Sequence, residues 1–132
     1  MASRHAKDRR RRAERRGRRA EFAAQLLLRM KGWRILDQRA RTGAGEIDIV
    51  CRRGATLAFI EVKARADLET ARGALSPRQT DRLLRAGALW RARHSRYAAL
   101  QPRYDLMLVA PWRWPRHLEG VIRAEGRMTA LL

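Results

Sequence analysis

The apolar positions of this chain change period along its length. From Arg18 to Lys31, Phe22, Leu26 and Met30 recur every fourth residue with Ala23 and Leu27 beside them, one apolar stripe on an amphipathic helix. Gly32 then suits the left-handed position that ends a helix. Trp33-Arg34-Ile35-Leu36 reads as a short first strand, and residues 38–45 as a polar loop containing Arg and Gly. Residues 46–52 and 57–64 are apolar runs of strand length, and Arg53-Gly54-Ala55 between them predicts a hairpin turn longer than the tightest two-residue type. Residues 65–75 read as a flexible connection. Ser76-Pro77-Arg78-Gln79 combines a capping serine, a first-turn proline and the last residue of a capping box, so a helix should run from there to about His94. Its buried edge is expected near Leu83, Leu84, Ala88 and Trp90 or Arg91. Arg103 to Ala110 predicts a fourth strand, residues 111–115 hold two prolines and predict a turn, and residues 118–125 a short strand or helix.

Charge interrupts two of these strands. Gly45-Glu46-Ile47-Asp48-Ile49-Val50 and Phe59-Ile60-Glu61-Val62-Lys63 place carboxylates and a lysine inside apolar runs, where an unpaired charge is expensive. Alternation puts Glu61 with Lys63 on one face of their strand and Glu46 with Asp48 on one face of theirs. A hairpin folded about Gly54-Ala55 sets Asp48 opposite Glu61. Opposed carboxylates about 5 Å apart repel by roughly 3 kcal/mol at an effective dielectric near 20. Lys63 offsets part of that, and a hard divalent cation would do so better. On this reading Asp48 and Glu61 hold Mg²⁺ or Mn²⁺, helped by a backbone carbonyl near Val62 and by water. Lys63 orients the attacking water or stabilises transition-state charge. The surrounding arginines, Arg41, Arg65, Arg78 and Arg82, take the non-reacting phosphates. The same spacing also fits two carboxylates paired with arginines on a solvated sheet face.

Composition narrows the substrate. Lys and Arg number 31 against 13 acidic residues in 132, a formal charge of +18, so polyanions are the expected partners, DNA ahead of RNA. Residues 1–17 are mostly arginine and predict a disordered basic arm ahead of one domain over 18–132. Cys51 is the single cysteine, which excludes an intrachain disulfide or a cysteine zinc cluster, and His5, His94 and His117 lack zinc-ligand spacing. No apolar run reaches membrane-span length and the chain opens without the apolar core of a secretory signal, so a cytoplasmic protein is expected. Trp112 and Trp114 flank Arg113 in the proline turn, where they either stack on unpaired bases or cover the edge of a core. Trp33 and Trp90 read as core, and Asp105 as a brace for an arginine near the site or as the end of a strand.

With Gly45-Glu46-Ile47-Asp48 and Phe59-Ile60-Glu61-Val62-Lys63-Ala64-Arg65 in view, residues 18–118 resemble the YraN-like family of uncharacterised bacterial proteins. They also resemble the wider PD-(D/E)xK nuclease superfamily and, within it, the archaeal Holliday junction resolvases. The resemblance implies an α/β, restriction-endonuclease-like fold with a central mixed sheet of about four to five strands flanked by helices. It puts Asp48, Glu61 and Lys63 on catalytic positions. Glu21 matches a first-helix acid that joins the metal site in those resolvases, and it equally suits an ordinary first-turn glutamate. Two positions depart from the family pattern: Ala20 stands where a glycine is frequent, and Gln79 where a lysine often opens the second helix. The implied activity is metal-dependent hydrolysis of phosphodiester bonds in DNA, branched or structured DNA included. Cutting two symmetric strands would need a homodimer. The alternative is an inactive nuclease-fold module that binds DNA or RNA during recombination, repair or uptake.

Overall fold

The computed structural model describes residues 3–65 and 75–122. Five strands form one sheet in the order β1-β2-β3-β4-β5, namely Arg34–Thr42, Gly45–Arg53, Thr56–Ala64, Gln101–Val109 and Arg116–Ile122. Neighbours are antiparallel except β3 and β4, which run parallel because helix α2 (Pro77–Arg93) carries the chain between them. Helix α1 (Arg4–Met30) precedes the sheet. The result is the mixed α/β sheet flanked by helices expected of a restriction-endonuclease-like fold.

The hydrophobic residues divide by sheet face. Ala24 and Leu28 of α1 pack with Trp33, Ile49, Cys51, Ala58, Ile60 and Met107 on one side. On the other side Leu83, Ala86 and Trp90 of α2 cover Val50, Leu57, Phe59, Leu106 and Leu108. The connection between β3 and α2 lies outside the described residues over 66–74, and so does the chain after Ile122.

Helix α2 follows its sequence signals. Ser76 accepts from the Gln79 N–H at 3.1 Å, and the Gln79 side chain accepts from the Ser76 N–H at 2.9 Å. Its buried edge is Thr80, Leu83, Ala86, Gly87 and Trp90, whereas Ala88 is exposed. Gly87 lets α2 approach the sheet, since a Cβ there would stand 2.7 Å from Tyr104 Cε1 and 3.3 Å from Phe59 Cδ2. Tyr104 is stacked on Phe59 with ring centroids 5.4 Å apart and cannot simply swing away. Gly87→Ala should therefore destabilise the fold by about 1–3 kcal/mol from overpacking, less about 1 kcal/mol of improved helix propensity. A lower urea midpoint at unchanged m-value checks this.

Four expectations need correction. The arginine-rich start is not a disordered arm: α1 begins at Arg4, with Ser3 as its cap accepting from the Ala6 N–H. Arg and Ala are strong helix formers, and Asp8 and Glu14 stand at four-residue spacing from several arginines, so local propensity outweighs self-repulsion. The first strand runs through the expected loop to Thr42, because β2 offers it a hydrogen-bonding partner along nearly its whole length. The β2–β3 hairpin closes through only Gly54 and Ala55, with Gly54 at φ 59 supplying the left-handed turn residue. Lastly, the Phe22, Leu26 and Met30 stripe is exposed at 67%, 49% and 64%, while Ala20, Ala24 and Leu28 are buried. Small alanines allow α1 to lie close on the sheet, and two polar contacts set its rotation. Gln25 Nε2 donates to Gln38 Oε1 at 3.0 Å, and Arg39 Nε lies 2.8 Å from Glu21 Oε2.

Candidate metal centre

The carboxylates gather where β2 departs from regular pleating. The β2–β3 pairing runs in the expected register from Arg53↔Thr56 to Ile49↔Ile60 and stops there. Ile49 and Cys51 face α1 while Val50 and Ile47 face α2, so strict alternation breaks at Asp48. On the adjoining strand Arg39 has φ 47, a backbone setting uncommon for a side-chain-bearing residue. The Val62 N–H needs an acceptor at this opening, and Asp48 Oδ2 provides it at 2.8 Å. The Asp48 side chain is thereby fixed beside the Glu61-Val62-Lys63 segment.

Glu61 is 9% exposed. Lys63 Nζ lies 3.4 Å from its Oε1 and retains 20% side-chain exposure. Burial first, and the nearby Glu61 charge second, push Asp48 up to about 7. Burial likewise raises Glu61, with Lys63 and then Arg82 opposing the rise. Two carboxylates, one half-buried and one buried, that resist ionisation are a site short of positive charge.

Glu21 reaches the same region from α1, since its charge bears on both Asp48 and Glu61. Its own carboxylate is engaged by Arg39. Arg39 is the partner that sequence reasoning missed, and its only signal was an arginine in a segment read as loop. Arg82 reaches toward Glu61 from α2 across Gly45, where a Cβ would stand 2.8 Å from Arg82 Cδ. Gly45 has φ 128 and leaves that path open. Arg41 pairs with Glu46 at 3.4 Å on the surface, with 88% of its side chain exposed. Arg78 is exposed on the first turn of α2. Arg65 follows β3, its N–H donating to the Val109 carbonyl at 2.9 Å. Arg82 is thus a named phosphate-binding candidate whose charge bears on Glu61.

Among the described residues, no three acidic, histidine or cysteine side chains form a ready-made metal cage. A pair still fits a hard cation, because Mg²⁺ is commonly held by one or two carboxylates and completes its shell with water and phosphate oxygens. Asp48, half-buried, and Glu61, buried, offer carboxylate oxygens whose ionisation is disfavoured, a donor set that fits such an ion.

Asp105 belongs to a different cluster. It is fully buried on the α1 face and receives Arg103 Nε and Nη2 at 2.9 Å each, His117 Nε2 at 2.7 Å and the Gly120 N–H at 2.8 Å. Lys31 Nζ sits 2.8 Å from His117 Nδ1 and 3.3 Å from Glu119 Oε1. An ammonium only donates, so Nδ1 accepts and the ring proton sits on Nε2, facing Asp105. Arg53 and Arg103 lie over the Trp33 ring at 4.6 and 5.1 Å. Asp105 does brace an arginine, but within this structural network and not at the carboxylate pair. Cys51 is buried beside it, and burial, then the Asp105 charge, push its thiol up to about 12, which makes it inert. No helix among the described residues is long and apolar enough to cross a membrane.

Residues 20–109 match the model of the uncharacterised protein family UPF0102. A UPF0102 protein of Maricaulis maris is 56% identical over 108 residues, covering 82% of this chain and 85% of that one. One from Parvibaculum lavamentivorans is 53% identical over 111 residues, 84% of each chain. A third, from Methylorubrum extorquens, is 48% identical over 118 residues, 89% of this chain and 92% of its own. The matched span contains Glu21, Asp48, Glu61 and Lys63.

Proposed function

The chain belongs to the uncharacterised protein family UPF0102, and from that footing we propose that it is a divalent-metal-dependent nuclease that hydrolyses phosphodiester bonds in DNA. The observation that carries this reading is the pair Asp48 and Glu61: a half-buried and a buried carboxylate that both resist ionisation, the Glu61 charge adding to burial at Asp48, with a lysine 3.4 Å from Glu61. A structural salt-bridge pair would show each acid matched by a base, as Asp105 is. Here Lys63 pairs with Glu61, while Asp48 accepts a backbone N–H and is in no ion pair among the described residues.

Asp48 and Glu61 would hold Mg²⁺ or Mn²⁺, which polarises a phosphoryl oxygen and acidifies a water. Lys63 keeps its ammonium beside Glu61 and partly exposed, where it can meet the charge that grows on the phosphoryl oxygens in the transition state. Arg82 can take a neighbouring phosphate over the open backbone of Gly45. Glu21 Oε2 is engaged by Arg39, and the other oxygen of its carboxylate could join the ligands.

The reading is tested by incubating junction, flap, duplex and single-stranded DNA with the protein in Mg²⁺ and Mn²⁺. Cleavage that disappears in Glu61→Gln supports it; intact substrate under every condition removes it. The formal charge of +18 favours one other reading, an inactive nuclease-fold module that only binds nucleic acid. Either way binding should weaken by about 10³–10⁵ between 50 and 200 mM salt if six to ten phosphates are contacted. Calorimetric titration of Mg²⁺ separates the two. The nuclease takes up the ion and loses it in Glu61→Gln, whereas the binding module shows no difference between the proteins.

A further inference from the structure

A cleft of about 990 Å³ opens between α1 and the C-terminal ends of the parallel strands β3 and β4, on the face of the sheet opposite the Glu61 and Lys63 side chains. Gly17, Ala20 and Ala23 form its helix wall, Ala64 and Arg65 its floor, and Pro111, Trp112 and Arg113 its far rim. Its size is at the upper end of the roughly 300–1,000 Å³ typical of small-ligand sites. The outer ends of parallel strands beside a crossover helix are where open α/β sheets place their ligands. Ala64 and Arg65 lie about 3 and 7 Å along the strand from Lys63. Ala20 adjoins Glu21 on α1.

The lining is unusual in two respects. Its charged residues are Arg19, Arg65 and Arg113, with no acid among them. Trp112, at its rim, is fully exposed and held at φ 62. A bulky residue in the left-handed region carries backbone strain. An indole in water also forgoes the stabilisation that burial would give. Trp33 and Trp90 of the same chain are both 3% exposed, so the fold does bury tryptophan elsewhere.

We propose that this cleft binds an unpaired segment of nucleic acid, with a base stacked on Trp112 and its phosphates on Arg19, Arg65 and Arg113. The proposal rests on the nuclease reading only for its purpose, which is to hold a strand leaving a junction or flap at the end of β3, the strand that also carries Lys63. An aromatic face accepts any base, and three guanidinium groups follow a backbone without reading sequence. The small residues of the helix wall leave width for a base, and their apolar surface suits its other face.

Binding is measured in EDTA, so that no cleavage is involved, by fluorescence anisotropy on single-stranded, flap and fully paired oligonucleotides, in deoxy and ribo forms. Trp112→Ala should weaken single-strand and flap binding by about 5- to 100-fold and leave duplex binding within twofold. Trp112→Phe should recover most of the loss. Trp114→Ala serves as the control, since that residue is exposed but does not line the cleft, and it should have little effect. A selective loss with deoxy or with ribo strands upholds the cleft and identifies the sugar it accepts. Unchanged single-strand binding in Trp112→Ala, or an equal loss on duplex, overturns the proposal. A protein that never cleaves yet shows the selective loss would discard the nuclease reading and keep the cleft.

Discussion

Asp48→Asn should reduce metal-dependent cleavage by at least about 10²–10³-fold, the usual consequence of deleting one preorganised charged group, while the metal-free protein becomes more stable at pH 8. Both effects come from one carboxylate. The asparagine oxygen can still accept the Val62 N–H, so the backbone arrangement survives. What is lost is a hard anionic ligand, and what is relieved is a buried charge facing Glu61.

The sign of the pH dependence follows directly. Asp48 in the fold is raised from 3.8 to about 7, and Glu61 is raised too, so in both cases the fold favours the protonated acid. Their stabilising share is complete below pH ~4 and is lost as pH rises through the raised folded values, near 7 for Asp48. At about 1.4 kcal/mol per unit, Asp48 alone makes this a loss on the order of a few kcal/mol. Without metal, stability should therefore fall from pH 5 to pH 8, and Asp48→Asn should flatten that fall. Mg²⁺ should restore wild-type stability at pH 8 and leave Asp48→Asn nearly unchanged. Thermal melts across pH with EDTA or Mg²⁺ give the answer; a wild type whose stability is flat over this range, with or without the ion, would contradict it.

Asp105→Ala should cost about 3–5 kcal/mol of stability, because it leaves Arg103 and His117 facing a vacated, buried carboxylate site. The Gly120 N–H loses its acceptor as well. Burial alone would raise Asp105, but the hydrogen bonds from His117, Arg103 and Gly120 outweigh it and hold this acid below its ordinary value. Glu119 behaves similarly, burial being outweighed by Lys31 and Arg103. The stability these two acids provide is complete above pH ~4 and is lost as pH falls through their lowered values. The metal-free protein should thus be most stable in mildly acidic solution, between the acid loss at the Asp105 network and the loss near pH 7 at the carboxylate pair. Guanidinium denaturation of Asp105→Ala should show the lower midpoint. Cleavage per folded molecule should be retained, since the network lies on the α1 face and away from Lys63.

Local chemistry is what the residues announce by themselves. Ser76 to Gln79 carry their own capping geometry, Gly54 specifies its turn, and the Glu61-Val62-Lys63 spacing fixes two charges on one strand face. The break in alternation at Asp48 and its bond to Val62 have no local cause. They arise where pairing to β3 ends and a backbone N–H needs an acceptor. Arg39 was legible only as a loop residue, because nothing near it in sequence places Glu21 within 2.8 Å. The same holds for Asp105, whose partners come from its own strand β4 and from β5.

The amino-acid order by itself determined that a helix, three strands, a second helix and a further strand would follow one another, that one hairpin would carry two acids and a lysine, and that the molecule would be strongly cationic; these follow from short-range sterics, hydropathy and charge. Which side of α1 is buried was decided only by the tertiary structure. The Phe22, Leu26 and Met30 stripe is the more apolar, yet close approach through Ala20 and Ala24, with Gln25 on Gln38 and Glu21 on Arg39, turned it outward. Hydrophobicity tells a helix that it must bury a side, but the shape and polar partners of the opposing sheet choose which one.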